Sequence, residues 1–222
     1  MTISSQPLWS DESDFDERVR AFILENPEVI LEALAALTER EEEAALQAKL
    51  DAYPYLFSEP TGLGMGAPDA PLRVIEFFDY RCLPCKAVHP VLEAFVEEHP
   101  EVRIEMRQLP ILTPGSERGA RFALAAQTIY GDDAYLAVHE RLWDLRGPLR
   151  SDGFELVAAD LGLDYSKIEP AMESPEVTER INGNRDFAID LEILGTPAFV
   201  TSKTMIFGTI DIEVLSDLWL SQ

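Results

Sequence analysis

The run Val74-Ile75-Glu76-Phe77-Phe78-Asp79-Tyr80-Arg81-Cys82-Leu83-Pro84-Cys85 decides how this chain is read. Val74 to Phe78 have the apolar density of a buried strand. Directly after them stands a Cys-x-x-Cys pair, Cys82 and Cys85, and these two are all the cysteines of the chain. A pair at a strand-to-helix corner puts one sulfur at a helix N-terminus. There, free backbone N–H groups and the helix dipole favour a thiolate. With no third cysteine, the pair has no other intrachain partner. Its chemistry is therefore a reversible disulfide or a two-sulfur metal site.

Outward from that corner the pattern alternates. Leu72 to Phe78 reads as a strand, about Leu83 to Glu98 as a helix, and Val102 to Leu109 (VRIEMRQL) as a second strand. A long helical block follows from about Ser116 to Leu191, broken at Gly131, Gly147-Pro148, Gly162 and Ser174-Pro175. Ala198–Val200 and Thr204–Phe207 read as short strands separated by Ser202-Lys203, and Ile212–Leu220 as a closing helix. Strand, helix, strand, helical insert, hairpin, helix is the order of an α/β thioredoxin-like fold with a helical insertion. The expected domain spans residues 61–222, with its insert at about 116–191.

Residues 1–60 read as an N-terminal helical arm and linker. Val19, Phe22 and Ile23 share a helix face. Asn26-Pro27 then interrupts, with Asn26 a fitting N-cap and Pro27 suited to a first helical position. Ile30, Leu31, Leu34 and Leu37 form an apolar stripe ahead of the charged stretch Glu39 to Glu43. The stripe reads either as a helix lying on its own domain or as an oligomerisation arm, since it lacks an obvious intrachain partner. Residues 51–70 (DAYPYLFSEPTGLGMGAPDA) are rich in Pro and Gly and read as a linker or loop.

Composition excludes some partners. The 222 residues are 46% hydrophobic, enough for one full domain plus an appendage. Lys+Arg 18 against Asp+Glu 41 gives a net charge of -23, which repels phosphate backbones and disfavours nucleic acid and anionic membranes. No apolar run approaches the ~18 residues of a membrane span, so no membrane insertion is expected. The opening MTISSQPLWSDE shows neither a basic n-region nor an apolar h-region, so no signal peptide is visible.

Beyond these physical readings, VIEFFDYRCLPCKAVHP resembles the active-site segment of the DsbA-like thioredoxin family. QLPILTPGSERGARFALAAQ resembles the start of that family's helical insert, and LGTPAFV its cis-proline loop. The stretch FDERVRAFILENPEVILEAL resembles the leading helices of the ScsC-like (suppressor of copper sensitivity) branch, whose members are typically envelope proteins that oligomerise through that arm. The resemblance runs over nearly the whole chain, in the right order.

It implies a role for each site residue. Cys82 is expected to be the attacking nucleophile, and Cys85, one helical turn on, to resolve the mixed disulfide. Glu76, six residues before Cys82, matches the buried acid that handles the proton of the resolving cysteine. Thr196-Pro197 is expected to carry a cis peptide bond and to offer its backbone to substrate by strand addition. Pro84 lacks an N–H to donate toward Cys82 and Leu83 supplies no charge, whereas strongly oxidising relatives carry a histidine at the position of Pro84. That points to a more reducing pair. Lys86 is read as a surface lysine near the thiolate. His89 reads as a packing or capping residue, and His99 and His139 show no partners suggesting a metal site. The tip Thr201-Ser202-Lys203-Thr204 departs from the family's usual Gly-Asp-type turn.

The function this implies is a protein thiol-disulfide oxidoreductase leaning towards isomerase or reductase. It would act on cysteine-containing proteins with an unidentified redox partner, need no cofactor, form a homo-oligomer and reside in the periplasm. A strictly oxidising disulfide donor is the nearest alternative. A Cu(I)-binding module using the two thiolates is another, suited to a soft ion and to the copper tolerance associated with ScsC-like relatives. No Met or His cluster in the sequence reinforces such a site, and no metal ligand is assigned.

Overall fold

The structure, a computed structural model, describes residues 12–58, 63–145, 147, 149–209 and 212–220. The chain forms two compact units whose boundary falls after Ala45, inside a helix.

The first unit comprises α1 (Glu12–Glu25) and the greater part of α2 (Glu28–Asp51). Pro27 lacks an N–H and cannot continue α1. Asn26 is spent on the helix before it, not the one after: its backbone N–H and its Nδ2 both donate to the Phe22 carbonyl at 2.9 Å. The N-cap expected from sequence is thus a C-terminal cap, because an amide side chain serves an orphan carbonyl as readily as an orphan N–H.

The second unit continues from the end of α2 through α3 (Tyr55–Ser58), β1 (Gly64–Met65), β2 (Leu72–Phe78), α4 (Leu83–Glu98) and β3 (Val102–Gln108). The insert follows as α5 (Pro114–Tyr130), α6 (Asp132–Asp144), α7 (Ser151–Asp160), α8 (Tyr165–Ala171) and α9 (Pro175–Asp190). The hairpin β4 (Ala198–Val200) and β5 (Met205–Phe207) and the helix α10 (Ile212–Leu220) complete it. The sheet order is β1-β3-β2-β4-β5, with β2 and β3 parallel and the other pairs antiparallel. This is the thioredoxin-like fold with a helical insertion expected from the sequence.

The central strand shows why. On β2, Val74 joins Val88, Leu92, Phe95 and Trp219 on the side of α4 and α10, whereas Ile75 and Phe77 join Leu56, Leu109 and Leu191. Phe78 packs with Phe122, Tyr135 and Trp143 of the insert. Side chains alternate across a strand, and a strand covered on both faces needs a continuous apolar run. Helix starts are equally local. Thr113 and Ser116 form a reciprocal capping box on α5, and Ser174 caps α9 ahead of Pro175.

Residues 51–70 are not a plain linker. Leu56 and Leu63 are fully buried, and β1 pairs antiparallel with β3. The glycines there serve close approach: a Cβ on Gly64 would stand 2.5 Å from the Ile104 carbonyl oxygen. Gly66 has φ +88, and its Cβ would lie 2.4 Å from the Val102 oxygen. At the β4–β5 tip, Thr201 Oγ1 accepts the N–H groups of Lys203 at 3.1 Å and Thr204 at 2.9 Å. A hydroxyl thus closes this turn without glycine.

Candidate active site

Helix α4 begins at the Cys-x-x-Cys pair. Cys82 is its N-cap, with extended backbone (φ -80, ψ 114), and its Sγ accepts the Cys85 N–H at 3.4 Å. Pro84 sits in the first turn, where an intrahelical N–H bond is not required. The Cys82 thiol also donates to the Thr196 carbonyl at 3.1 Å, so the Thr196-Pro197 loop lies directly against it. The Thr196-Pro197 bond is cis, as the sequence suggested. Both cysteines are free thiols, Cys82 5% exposed and Cys85 fully buried. Burial pushes the Cys85 thiol well above its ordinary value, while the Asp79 backbone and the Thr196 side chain act in the opposite sense.

Glu76 is 1% exposed. It stands two residues from Val74 and from Phe78, on the same side of the strand, which puts it on the face of β2 that α4 covers. Burial raises its carboxyl from 4.5 to about 7, and the charge of His89 pulls it back down. Its Oε1 has no hydrogen-bond partner among the described residues.

Four residues take on parts that the sequence did not reveal. Asp79 is 1% exposed; Oδ1 accepts the Arg81 N–H at 2.7 Å, and Oδ2 accepts those of Ile111 and Leu112 at 2.9 and 3.0 Å. One carboxylate therefore ties the loop before Cys82 to the loop before α5. The bond to an N–H two residues on is a local Asx pattern that sequence can suggest; the far pair comes from tertiary structure. Lys86 is not a loose surface charge, because its Nζ donates to the Trp143 carbonyl. His89 is 5% exposed, with Nε2 3.0 and 3.2 Å from the two carboxylate oxygens of Glu140 on α6. His139, for which the sequence showed no partners suggesting a metal site, lies with its ring 5.1 Å from that of His89. Its Nδ1 is 2.9 Å from the Tyr80 hydroxyl, and its Nε2 accepts the Trp143 Nε1–H at 2.9 Å.

Ligand atoms of His89, His139 and Glu140 fall within 4.8 Å of one another. Both ring nitrogens of His139 are nevertheless engaged, and an indole N–H can only donate. That fixes the neutral tautomer with its proton on Nδ1, and burial holds His139 well below its ordinary value. The cluster is a hydrogen-bonded network. Beside Thr196 and Pro197 runs a groove of about 470 Å³ that includes Leu194 and Phe207. Leu194 is 92% exposed, and Leu83, between the cysteines, 79%.

A cysteine pair at the start of the helix after the central strand, facing a cis-proline loop, defines a thioredoxin-fold domain. The chain belongs to the DsbA-like thioredoxin family: residues 73–219 match the DSBA-like thioredoxin domain, and residues 11–44 match the copper resistance protein ScsC N-terminal domain. A solved thioredoxin-like oxidoreductase from Silicibacter pomeroyi DSS-3 is 34% identical, with 73% of this chain aligned to 92% of that one at a TM-score of 0.67. Proteus mirabilis ScsC in a transitional conformation is 26% identical, over 93% of this chain and 94% of the other, at a TM-score of 0.69. Among curated sequences, the Na(+)/H(+) antiporter NhaA 3 of Salinispora tropica is 27% identical over 151 residues. That match takes in 68% of this chain but 23% of the antiporter, so the chain spans under a quarter of that relative's length.

Proposed function

We propose that the protein is a thiol-disulfide oxidoreductase acting on cysteine-containing proteins, with Cys82 as nucleophile and Cys85 as resolving thiol. The observation that carries this is Cys82 at the N-cap of α4 with its Sγ 3.1 Å from the Thr196 carbonyl. In the reducing direction, the Cys82 thiolate attacks a substrate disulfide. A Cys82–substrate S–S bond forms, the substrate S–S bond breaks, and one substrate thiolate leaves. Glu76 takes the proton of Cys85, whose thiolate then attacks the Cys82 sulfur. The Cys82–Cys85 disulfide forms, the mixed disulfide breaks, and two electrons have passed to the substrate. The oxidising direction is the reverse. The exposed Leu83, Leu194 and Phe207 offer an apolar surface to an unfolded chain, and the Thr196 backbone offers a strand-like edge to it.

Pro84 offers Cys82 no N–H donor and Leu83 no charge, which favours isomerase or reductase work over strict oxidation. Equilibration with glutathione buffers tests this and the compartment together. A potential near about -120 to -180 mV places the pair with oxidases and isomerases and supports the periplasm, as kinship with ScsC suggests. A value near about -270 mV makes it a thioredoxin-like reductant and removes the strictly oxidising reading. Failure to exchange defeats the enzyme reading. No helix among the described residues is long and apolar enough to cross a membrane.

The arm is proposed to join copies of this chain. Phe22, Leu31, Leu34 and Leu37 are 50% to 70% exposed on α1 and α2, an apolar surface that self-association would cover. Light scattering on the intact protein should give a multiple of 24.9 kDa, and the double substitution Leu31→Lys and Leu34→Lys should return it to the monomer mass. A wild-type mass of one chain would discard the oligomer.

A further inference from the structure

His89 is more than an idle packing residue, because its Nε2 lies 3.0 Å from Glu140 Oε1. It lies on α4 four residues after Cys85, and positions i and i+4 share a helix face. Cys85, His89 and Glu76 therefore converge where α4 covers β2, and the charge of Glu76 acts on both of the others. His89 is buried, yet its Nε2 reaches Glu140, whose side chain is 49% exposed. A buried imidazole is bonded here to an outer carboxylate open to solvent, and it feels the charge of an inner carboxyl lacking a partner at Oε1.

We propose that His89, clamped by Glu140, is the positioning residue that governs the ionisation of Glu76, and through it the proton traffic of Cys85. The consequence for Cys85 rests on the oxidoreductase reading; the control of Glu76 does not.

The charges around the pair are few. On α4, Glu93 lies 4.0 Å from His89 Nε2. On α6, Glu140 bonds His89, and His139 and Trp143 pack against its ring with no charge of their own at neutral pH. On β2, Glu76 faces inward, with Cys85 of α4 and Tyr135 of α6 as the other titratable groups that feel it. Desolvation acts to keep His89 neutral, but the bond to Glu140 and the charges of Glu140, Glu76 and Glu93 outweigh it, so His89 is raised overall. A protonated His89 in turn stabilises the Glu76 carboxylate, and with it the state able to accept the Cys85 proton.

The sign of the effect separates this arrangement from simpler ones. Removing the negative charge of Glu140 would, acting directly on Glu76, make that carboxyl easier to ionise. Acting through His89 it does the opposite: His89 loses its partner, becomes neutral under burial, and leaves Glu76 harder to ionise. The experiment follows the carboxylic C=O infrared band of the reduced, full-length protein against pH, assigned to Glu76 by its loss in Glu76→Gln. In both His89→Gln and the surface variant Glu140→Gln, the midpoint should move upward from its wild-type value of about 7. The pH at which Cys85 releases a preformed mixed disulfide should move upward with it. A midpoint that stays put or falls in Glu140→Gln, or that ignores His89→Gln, overturns the proposal. If the wild type fails to exchange disulfides at all, the oxidoreductase reading fails instead, and the infrared midpoints still decide whether the pair governs Glu76.

Discussion

Cys85→Ser should turn the protein into a trap. Cys82 remains at the helix N-cap, facing the Thr196 carbonyl, so the attack on a substrate disulfide proceeds. The second step has lost its nucleophile. A serine hydroxyl in the fully buried position of Cys85 cannot displace sulfur from sulfur, and the Cys82–substrate disulfide accumulates. Turnover on a model disulfide should fall to background, while a stoichiometric adduct appears by mass spectrometry. Cys82→Ser should abolish turnover and give no adduct, because a buried thiol raised far above its ordinary value is a poor nucleophile. Adducts on Cys85 in that second variant would reverse the assignment of attacking and resolving roles.

The second large effect concerns stability and pH. Burial raises the Glu76 carboxyl from 4.5 to about 7 in the fold. Between those values the folded protein holds a proton that the unfolded chain has released. The stabilisation from Glu76 is therefore fully present below pH 4.5 and is lost as pH rises towards 7. A shift of this size corresponds to roughly 3 kcal/mol across the window. Glu76→Gln carries no charge at any pH, so it should exceed the wild type at pH 8 by up to about 3 kcal/mol, or about 6–12 °C in Tm, with the gap closing near pH 4.5. Thermal melts of the reduced proteins at both pH values check it. Equal gaps at the two pH values would mean that Glu76 does not titrate as a buried carboxyl.

These two experiments touch residues that sequence could single out, whereas their setting was legible only in part. The order of elements followed from local signals. The apolar run at Val74–Phe78, the alternation at Val102–Gln108, the glycine and proline breaks of the insert and the short final strands all report backbone choices made within a few residues. The 51–70 segment misled because glycine has two uses. A Gly-rich stretch reads as flexible, but Gly64 and Gly66 lie where the carbonyls of Ile104 and Val102 leave no room for a Cβ. The neighbour that makes them necessary is about forty residues away in the chain. His139 misled for a related reason. Its spacing to Trp143 is helical, but Tyr80 and His89 reach it from other elements.

By itself, the sequence determined the fold order and the Cys-x-x-Cys pair at a strand-to-helix corner, and through its resemblance the family and the cis-proline loop. The first two are encoded by contiguous residues whose backbone preferences and spacing do not depend on distant parts of the chain. Tertiary structure alone decided that Glu76 faces α4, that Asp79 ties two loops together, and that the buried His89 reaches Glu140 of the insert. Such properties belong to groups brought together from β2, α4 and α6, and burial and charge act through space rather than along the chain.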